Sequence, residues 1–337
     1  MGAAYPYFYW KGKVVSPTIA IFYDVPNWAF HNIARNIAVF GTGQYDFKLI
    51  GHEDWFGYPK KAAELVAKCD VVVFLWRFDL IAFLDSLDNS AWNLVVSSDR
   101  PAFVTIVYDH LYMNAEDLRR IGDPFELSDI VATCSERLHT AYHERAHLPD
   151  PSFLLPDGVD LDEFTPKNRL FCKDRPFRIG WVGNSAMGRT VEPDLKGKHT
   201  IFDPAINTLR DKGHVFDVRI ADRAGVPVAR NAMPEFYRNI DVLVCVSSSE
   251  GTPNPLLEAI ASGVAVVTTD VGLAREVLGP VQSGFILKER NEDAEPPRVY
   301  RRVKLSKGEP HDRQETHPEL HGRVPRARRS AFPRTSF

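Results

Sequence analysis

Ser248-Ser249-Glu250-Gly251-Thr252-Pro253-Asn254-Pro255-Leu256-Leu257-Glu258-Ala259 comes directly after an apolar run, Ile240-Asp241-Val242-Leu243-Val244-Cys245-Val246. A run of this kind reads as a strand buried in a parallel sheet. Leu256-Leu257-Glu258-Ala259-Ile260-Ala261 reads as a helix that stops at Gly263. The loop between them therefore stands at the carboxyl end of a strand and opens a helix, where open α/β sheets bind ligands. Unpaired N–H groups at that helix start favour an anion such as phosphate. Glu250 lies on the loop and Glu258 about two turns into the helix, so one molecule over the helix start can be touched by both.

Outward from this loop, strands and helices alternate, the pattern of parallel sheets covered on both faces. Residues 18–23, 71–76, 102–107 and 129–134 read as buried strands of a first Rossmann-like unit, with an amphipathic helix over 28–40. The stretch from Pro151 to Pro166, with its prolines, one glycine and several acids, reads as a linker. Alternation restarts with strands at 177–182 and 215–221, helices at 203–212 and 233–239, the opening strand and helix, and a last strand at 264–269. The expected architecture is α/β, two facing Rossmann-like domains with parallel sheets. An N-terminal domain covers 1–155, a linker 156–170 and a second domain 171–287. The remaining segment, 288–337, is rich in Arg, Pro and His without apolar periodicity, and is expected to be a disordered tail.

Composition sets the class. The 337 residues are 44% hydrophobic and 25% charged, values of a soluble globular protein. The net charge of −3 gives no case for a nucleic-acid partner, and it is unevenly spread. Segment 288–337 holds 13 Lys/Arg against 8 Asp/Glu, which leaves −8 on residues 1–287. Four scattered cysteines without CxxC spacing read as free thiols in a reducing compartment. No apolar run reaches the roughly 18–20 residues of a membrane span, and the first residues lack the form of a signal peptide. A cytoplasmic location is therefore expected, with a peripheral contact on the inner face of a membrane compatible with it.

Glu250 to Glu258 matches the glutamate–seven residues–glutamate motif of retaining glycosyltransferases of the GT-B fold. Met233-Pro234-Glu235-Phe236-Tyr237-Arg238-Asn239-Ile240-Asp241 resembles the short helix ahead of the donor loop in family 4 of these enzymes. Ala261-Ser262-Gly263-Val264-Ala265-Val266-Val267 and Asp270-Val271-Gly272-Leu273-Ala274-Arg275-Glu276 resemble the family's segments on the C-terminal side of that loop. Pro156-Asp157-Gly158-Val159-Asp160, ending in Phe164-Thr165-Pro166, resembles the interdomain linker. The resemblance covers residues 150–287 well and the first domain loosely. Family 4 domains usually continue past Gly284-Phe285-Ile286-Leu287 with several helices, so the C-terminus here is truncated or altered relative to the family.

The resemblance implies a role for each site residue. Glu250 would take hydroxyls of the transferred sugar and Glu258 those of the ribose, since carboxylates accept short, charge-assisted bonds from diols. The N–H groups of Gly251 and Thr252 would lie near the sugar, and those around Pro255 and Leu256 near the phosphates. Lys196 falls where the family places its phosphate-binding lysine. The usual arginine partner is replaced by Asn184 after Gly183, with Arg189 a substitute from the same loop. His110, after a buried strand, would contact the transferred sugar, and Trp28, Phe30 and His31 would border the acceptor side. Each has a plainer reading: Glu250 as a helix-capping acid, Glu258 and Lys196 as solvated charges, His110 as a satisfied buried histidine, the aromatic residues as core. Asp160-Leu161-Asp162 is a literal DxD triplet, but it lies in a linker, and no metal is expected.

These readings point to transfer of a hexose-like sugar, with retained anomeric configuration, from a UDP-, GDP- or ADP-linked donor. The acceptor would be a hydroxyl on a glycan, a lipid-linked carrier or a small molecule, and no cofactor is required. Neither domain carries a GxGxxG fingerprint, which argues against a nicotinamide dehydrogenase. The alternatives are an impaired or inactive truncated protein of the same fold and a sugar-nucleotide epimerase.

Overall fold

The structure, a computed structural model, describes residues 9–10, 13–14, 16–97, 99–166, 175–187 and 193–291. Arg189, Cys172, residues 167–170 of the expected linker and residues 292–337 of the expected tail lie outside them. The chain divides into two compact units, Met1–Asp157 and Gly158–Phe337.

In the first unit a short antiparallel hairpin pairs Tyr9–Trp10 (β1) with Lys13–Val14 (β2). Next comes a parallel sheet, built from Thr18–Tyr23 (β3), Asp46–Gly51 (β4), Val71–Phe74 (β5), Ala102–Val107 (β6), Ile130–Thr133 (β7) and Phe153–Leu154 (β8). Their spatial order is β4-β3-β5-β6-β7-β8. Side chains alternate between two buried clusters: Ala20, Phe22, Val72 and Phe74 enter one, Ile21 and Tyr23 the other. Both faces are therefore covered, as parallel sheets require. Burial of each large apolar side chain of this kind contributes about 1.5–3 kcal/mol.

The second unit carries Phe177–Gly183 (β9), Phe216–Asp222 (β10), Val242–Cys245 (β11), Ala265–Thr269 (β12) and Ile286–Leu287 (β13), in the order β10-β9-β11-β12-β13 with every pairing parallel. Ile179, Trp181 and Val242 face one cluster while Leu243 and Val266 face the other. From β9 the chain steps out to β10 and returns on the other side of β9 as β11. That reversal of direction opens a crevice at the carboxyl ends of β9 and β11.

Five strands escape the sequence reading: the short β1, β2 and β13, and, in the parallel sheet of the first unit, β4 and β8. The last two lie at sheet edges, where partial exposure weakens the apolar signal: Phe153 and Leu154 are exposed, and Lys48 interrupts β4. Cys69 and Cys245 are free thiols. Among the described residues, no helix is long and apolar enough to cross a membrane.

Candidate functional site

The loop after β11 begins with Val246 and ends at the helix Asn254–Ala261. Pro253 precedes that helix and Pro255 stands in its first turn, where a missing N–H costs nothing. Gly263 (φ +70°) stops it, with the Gly263 N–H donating to Ile260 and that of Val264 to Ala259. The Leu256 N–H already donates to the Pro253 carbonyl at 2.8 Å, and Pro255 has no N–H. The backbone donors around Pro255 and Leu256 are thus spent on the turn. The N–H groups of Gly251, Thr252 and Asn254 find no acceptor among the described residues.

Glu250 and Lys196, read from the sequence as serving different parts of a ligand, meet directly. Lys196 Nζ donates to Glu250 Oε1 at 2.5 Å, and Ser247 Oγ donates to the same oxygen at 2.7 Å. Both charged side chains are about 15% exposed, Lys196 at 15% and Glu250 at 14%. Glu250 Oε2 keeps no partner among the described residues, and Lys196 keeps two of its three N–H donors.

Backbone contacts fix both partners. Ser248 N–H donates to Leu195 O at 2.9 Å, and Thr269 Oγ1 on β12 donates to Ser247 O at 2.6 Å. Gly197 is left-handed (φ +66°), and a Cβ there would stand 2.3 Å from Val246 O. Gly272 (φ +50°) leans on the loop after β11 so closely that a Cβ would stand 2.1 Å from Gly251 O. Asp194 accepts from the N–H groups of Lys198, His199 and Thr200 at 3.1, 2.8 and 2.7 Å. Burial pulls its pKa up, but these donors outweigh that and hold its carboxyl below the ordinary value. Arg290 donates from Nε to Val246 O at 2.9 Å and from Nη2 to Asp194 O at 2.6 Å. It lies in the stretch expected as tail, so the folded unit runs past residue 287. The Pro-rich, basic company of Arg290 hid this in the sequence.

Glu258 is in a different environment. Arg230 Nη1 donates to its Oε1 and Tyr237 donates to its Oε2 at 2.8 Å, while Arg230 Nη2 reaches Glu163 at 3.4 Å. Arg230 also lies over the Phe164 ring at 4.8 Å. Glu258 is 8% exposed, and burial raises its pKa despite the opposing pull of Arg230 and Tyr237. The solvated-acid reading of Glu258 fails on this burial. A ribose hydroxyl would have to share oxygens that Arg230 and Tyr237 already use. The spacing of Glu250 and Glu258 gave no sign of Arg230, which opens the short 3-10 helix Arg230–Ala232 just before the helix Met233–Arg238.

The loop after β9 stands across the crevice. Gly183 ends that strand, and its absent Cβ would meet the buried Trp181 ring at 2.7 Å. Asn184 Oδ1 accepts from the Ala186 N–H at 3.1 Å, so this side chain shapes its own turn. Asp222 pins the same loop by accepting from Ser185 N–H at 3.0 Å. Asp160 of the DxD triplet likewise caps its own turn, accepting from the N–H groups of Asp162 and Glu163. Among the described residues no group of His, Cys, Asp and Glu is arranged to hold a metal ion.

His110 belongs to the first unit. Burial lowers its pKa, with the charges of Arg137 and Arg145 acting the same way against Asp109. Its loop is held by Arg77, which donates to Asp109 Oδ1 at 3.2 Å and Leu111 O at 2.5 Å. Phe30 packs edge-on against Tyr108, and His31 Nδ1 accepts from the Asn27 N–H, so these two residues serve local packing and turn geometry.

Residues 220–296 match the family described as glycosyl transferases group 1, a span that contains β11, the loop and its helix. A stretch of 114 residues is 32% identical to the lipopolysaccharide core biosynthesis mannosyltransferase LpsB of Rhizobium meliloti (strain 1021). It covers 33% of this chain and 29% of that enzyme's length. In structure the chain is similar to a glycosyltransferase from Rickettsia africae ESF-5 (TM-score 0.57, 13% identity, 85% and 88% of the two chains covered). It is also similar to Anabaena HepE in complex with UDP (0.55, 13%, 82% and 87%). Sucrose-phosphate synthase from Thermosynechococcus elongatus shares the likeness (0.56, 13%, 85% and 89%). These likenesses show the fold, two α/β units with parallel sheets of the GT-B kind.

Proposed function

We propose that the chain is a retaining glycosyltransferase that moves a hexose-like sugar from a nucleotide-linked donor to an acceptor hydroxyl. One observation carries this reading: Glu250 is clamped through one oxygen by Lys196 and Ser247, while its other oxygen is left for a ligand. The family match over the same loop and helix supports it.

In this reading Oε2 of Glu250 accepts a hydroxyl of the transferred sugar. The two remaining donors of Lys196, with the N–H group of Asn254, face the diphosphate, and the N–H groups of Gly251 and Thr252 lie near the sugar. As the bond between the anomeric carbon and the phosphate oxygen breaks, negative charge grows on the leaving oxygen. Fixed donors at such a point contribute the larger share of catalysis. The acceptor oxygen bonds to the anomeric carbon on the face the diphosphate leaves, and its proton passes to a diphosphate oxygen. Gly183 and Asn184 bring backbone close to the phosphates, with Arg189 a further candidate from that loop, and Glu258 meets the ribose alongside Arg230. His110 is proposed, on resemblance, as another contact of the sugar. The reading needs no cofactor beyond the donor.

A panel of UDP-, GDP- and ADP-linked hexoses tests the reading. Turnover with one donor, and its loss in Glu250→Ala with the fold intact, is the expected result. No turnover and no stabilisation by any donor would overturn it.

A further inference from the structure

His52, Asp79 and Asp24 form a charged cluster in the first unit that the donor loop does not use. Each comes from the carboxyl end of a different neighbouring strand. Asp24 directly succeeds β3, His52 directly succeeds β4, and Asp79 lies in the first turn of the helix Arg77–Asp85 after β5. The chain steps from β3 out to β4 and returns on the other side as β5, so β3 and β5 flank the reversal point of this sheet. Crevices at such points bind ligands.

The cluster is built to present one face. His52 Nε2 lies 3.1 and 3.0 Å from the two oxygens of Asp79, itself 4% exposed. A buried carboxylate on one ring nitrogen fixes the ring and commits the other nitrogen outward. Nδ1 makes no hydrogen bond with a described residue, and the His52 side chain is 23% exposed. The His52 N–H donates to Asp24 O at 3.1 Å, which ties the two strand ends together. Asp24 Oδ1 is buried and makes no hydrogen bond of good geometry among the described residues. Beneath His52 the buried Trp55 ring stands edge-on at 5.7 Å. Beside it Phe56, 59% exposed, lies 4.4 Å away at a tilt of 33°.

These groups select a ligand by chemistry. Two carboxylates repel an anion. A hydroxyl both donates and accepts, so it pairs with Nδ1 in either protonation state, while Asp79 beneath holds the ring in place. An exposed aromatic face beside such groups suits the apolar side of a sugar ring. We propose that His52, Asp79, Asp24 and Phe56 form a recognition site for a pyranose-like polyol. Calling that polyol the acceptor rests on the transferase reading above; the site itself does not.

The test uses the full chain with 13C-labelled histidine, the His52 signal assigned by its loss in His52→Gln, and methyl α-glycosides of mannose, glucose and galactose as probes. At least one glycoside is expected to shift the His52 signal saturably. Phe56→Ala should weaken that binding by about threefold to tenfold, the value of an aromatic contact. Asp79→Asn should weaken it by about tenfold or more. Phe56 is exposed, so its variant is expected to fold even where Asp79→Asn does not. If no glycoside moves the His52 signal, or if Phe56→Ala binds as the parent does, the proposal falls. Inorganic phosphate shifting His52 in place of the glycosides would also overturn it. Saturable binding of a glycoside by a chain that no donor stabilises and that turns over no donor would keep this site and sink the transferase reading instead.

Discussion

Lys196 and Glu250, 54 positions apart, share a 2.5 Å hydrogen-bonded ion pair at the carboxyl end of β11. Each side chain is mostly buried, so removing one leaves the other charged and uncompensated. Lys196→Ala and Glu250→Ala should each lower stability by about 1–3 kcal/mol, a buried-pair cost discounted for the remaining exposure. The double variant should lose less than the sum. Urea unfolding in a double-mutant cycle reads the coupling, and additive losses would mean that the pair is not formed in solution.

Arg230 and Glu258 give a pH signature. The folded pKa of Glu258 is raised by burial, so its charged form is tolerated only because Arg230 and Tyr237 hold it. For a raised acid the cost of folding with the charge appears as pH climbs above the unfolded value, 4.5, and fades as pH falls back through the folded pKa. Arg230→Ala removes the cation and should cost about 2–4 kcal/mol at neutral pH. Less should be lost as the pH is lowered to 4.5, the unfolded value, where the raised Glu258 carboxyl can take up its proton. Denaturant unfolding at the two pH values checks this; an equal loss at both would contradict it.

Asp194 should behave in the opposite sense. Its folded pKa is depressed by the N–H groups of Lys198, His199 and Thr200, so its stabilisation is present above the unfolded value and lost as pH falls through the folded one. Asp194→Asn is expected to cost about 1–2 kcal/mol at neutral pH, as for a lost helix cap, and to flatten the acid limb of the stability curve below about pH 4. Thermal unfolding midpoints between pH 3 and 7 measure both.

Gly272 and Gly213 make a matched pair. Both have positive φ, but a Cβ at Gly213 meets nothing within 4 Å, whereas at Gly272 it meets the Gly251 carbonyl. Gly213→Ala should cost about 1 kcal/mol from backbone strain alone. Gly272→Ala should cost more and should also reduce donor binding, because the carbonyl it displaces belongs to the donor loop. Equal effects on stability and binding would show that the loop does not depend on this contact.

Much of this site is written in local sequence. The strand at 240–246, the loop and the helix stopped at Gly263 are legible because a buried parallel strand and a helix start each impose residue types on their own positions. Lys196 is legible through resemblance. What stays hidden are polar relations between residues far apart in the chain. Nothing local ties Arg230 to Glu258, Arg290 to the carbonyls of Val246 and Asp194, or His52 to Asp79. Edge strands β4 and β8 are hidden for a related reason, since partial exposure removes the apolar run that marks their neighbours. Arg290 shows the limit of composition, because a basic, Pro-rich neighbourhood concealed a side chain that closes two buried carbonyls.

Transfer by Glu250→Ala, set against the parent chain with the donor that the parent turns over, tests the central claim most directly. The reading predicts a loss of at least about 100-fold in kcat, the scale of removing one preorganised stabilising group, with a cooperative unfolding transition retained. Turnover of the folded variant within about threefold of the parent would show that the Glu250 oxygen left free by Lys196 and Ser247 does not hold the transferred sugar.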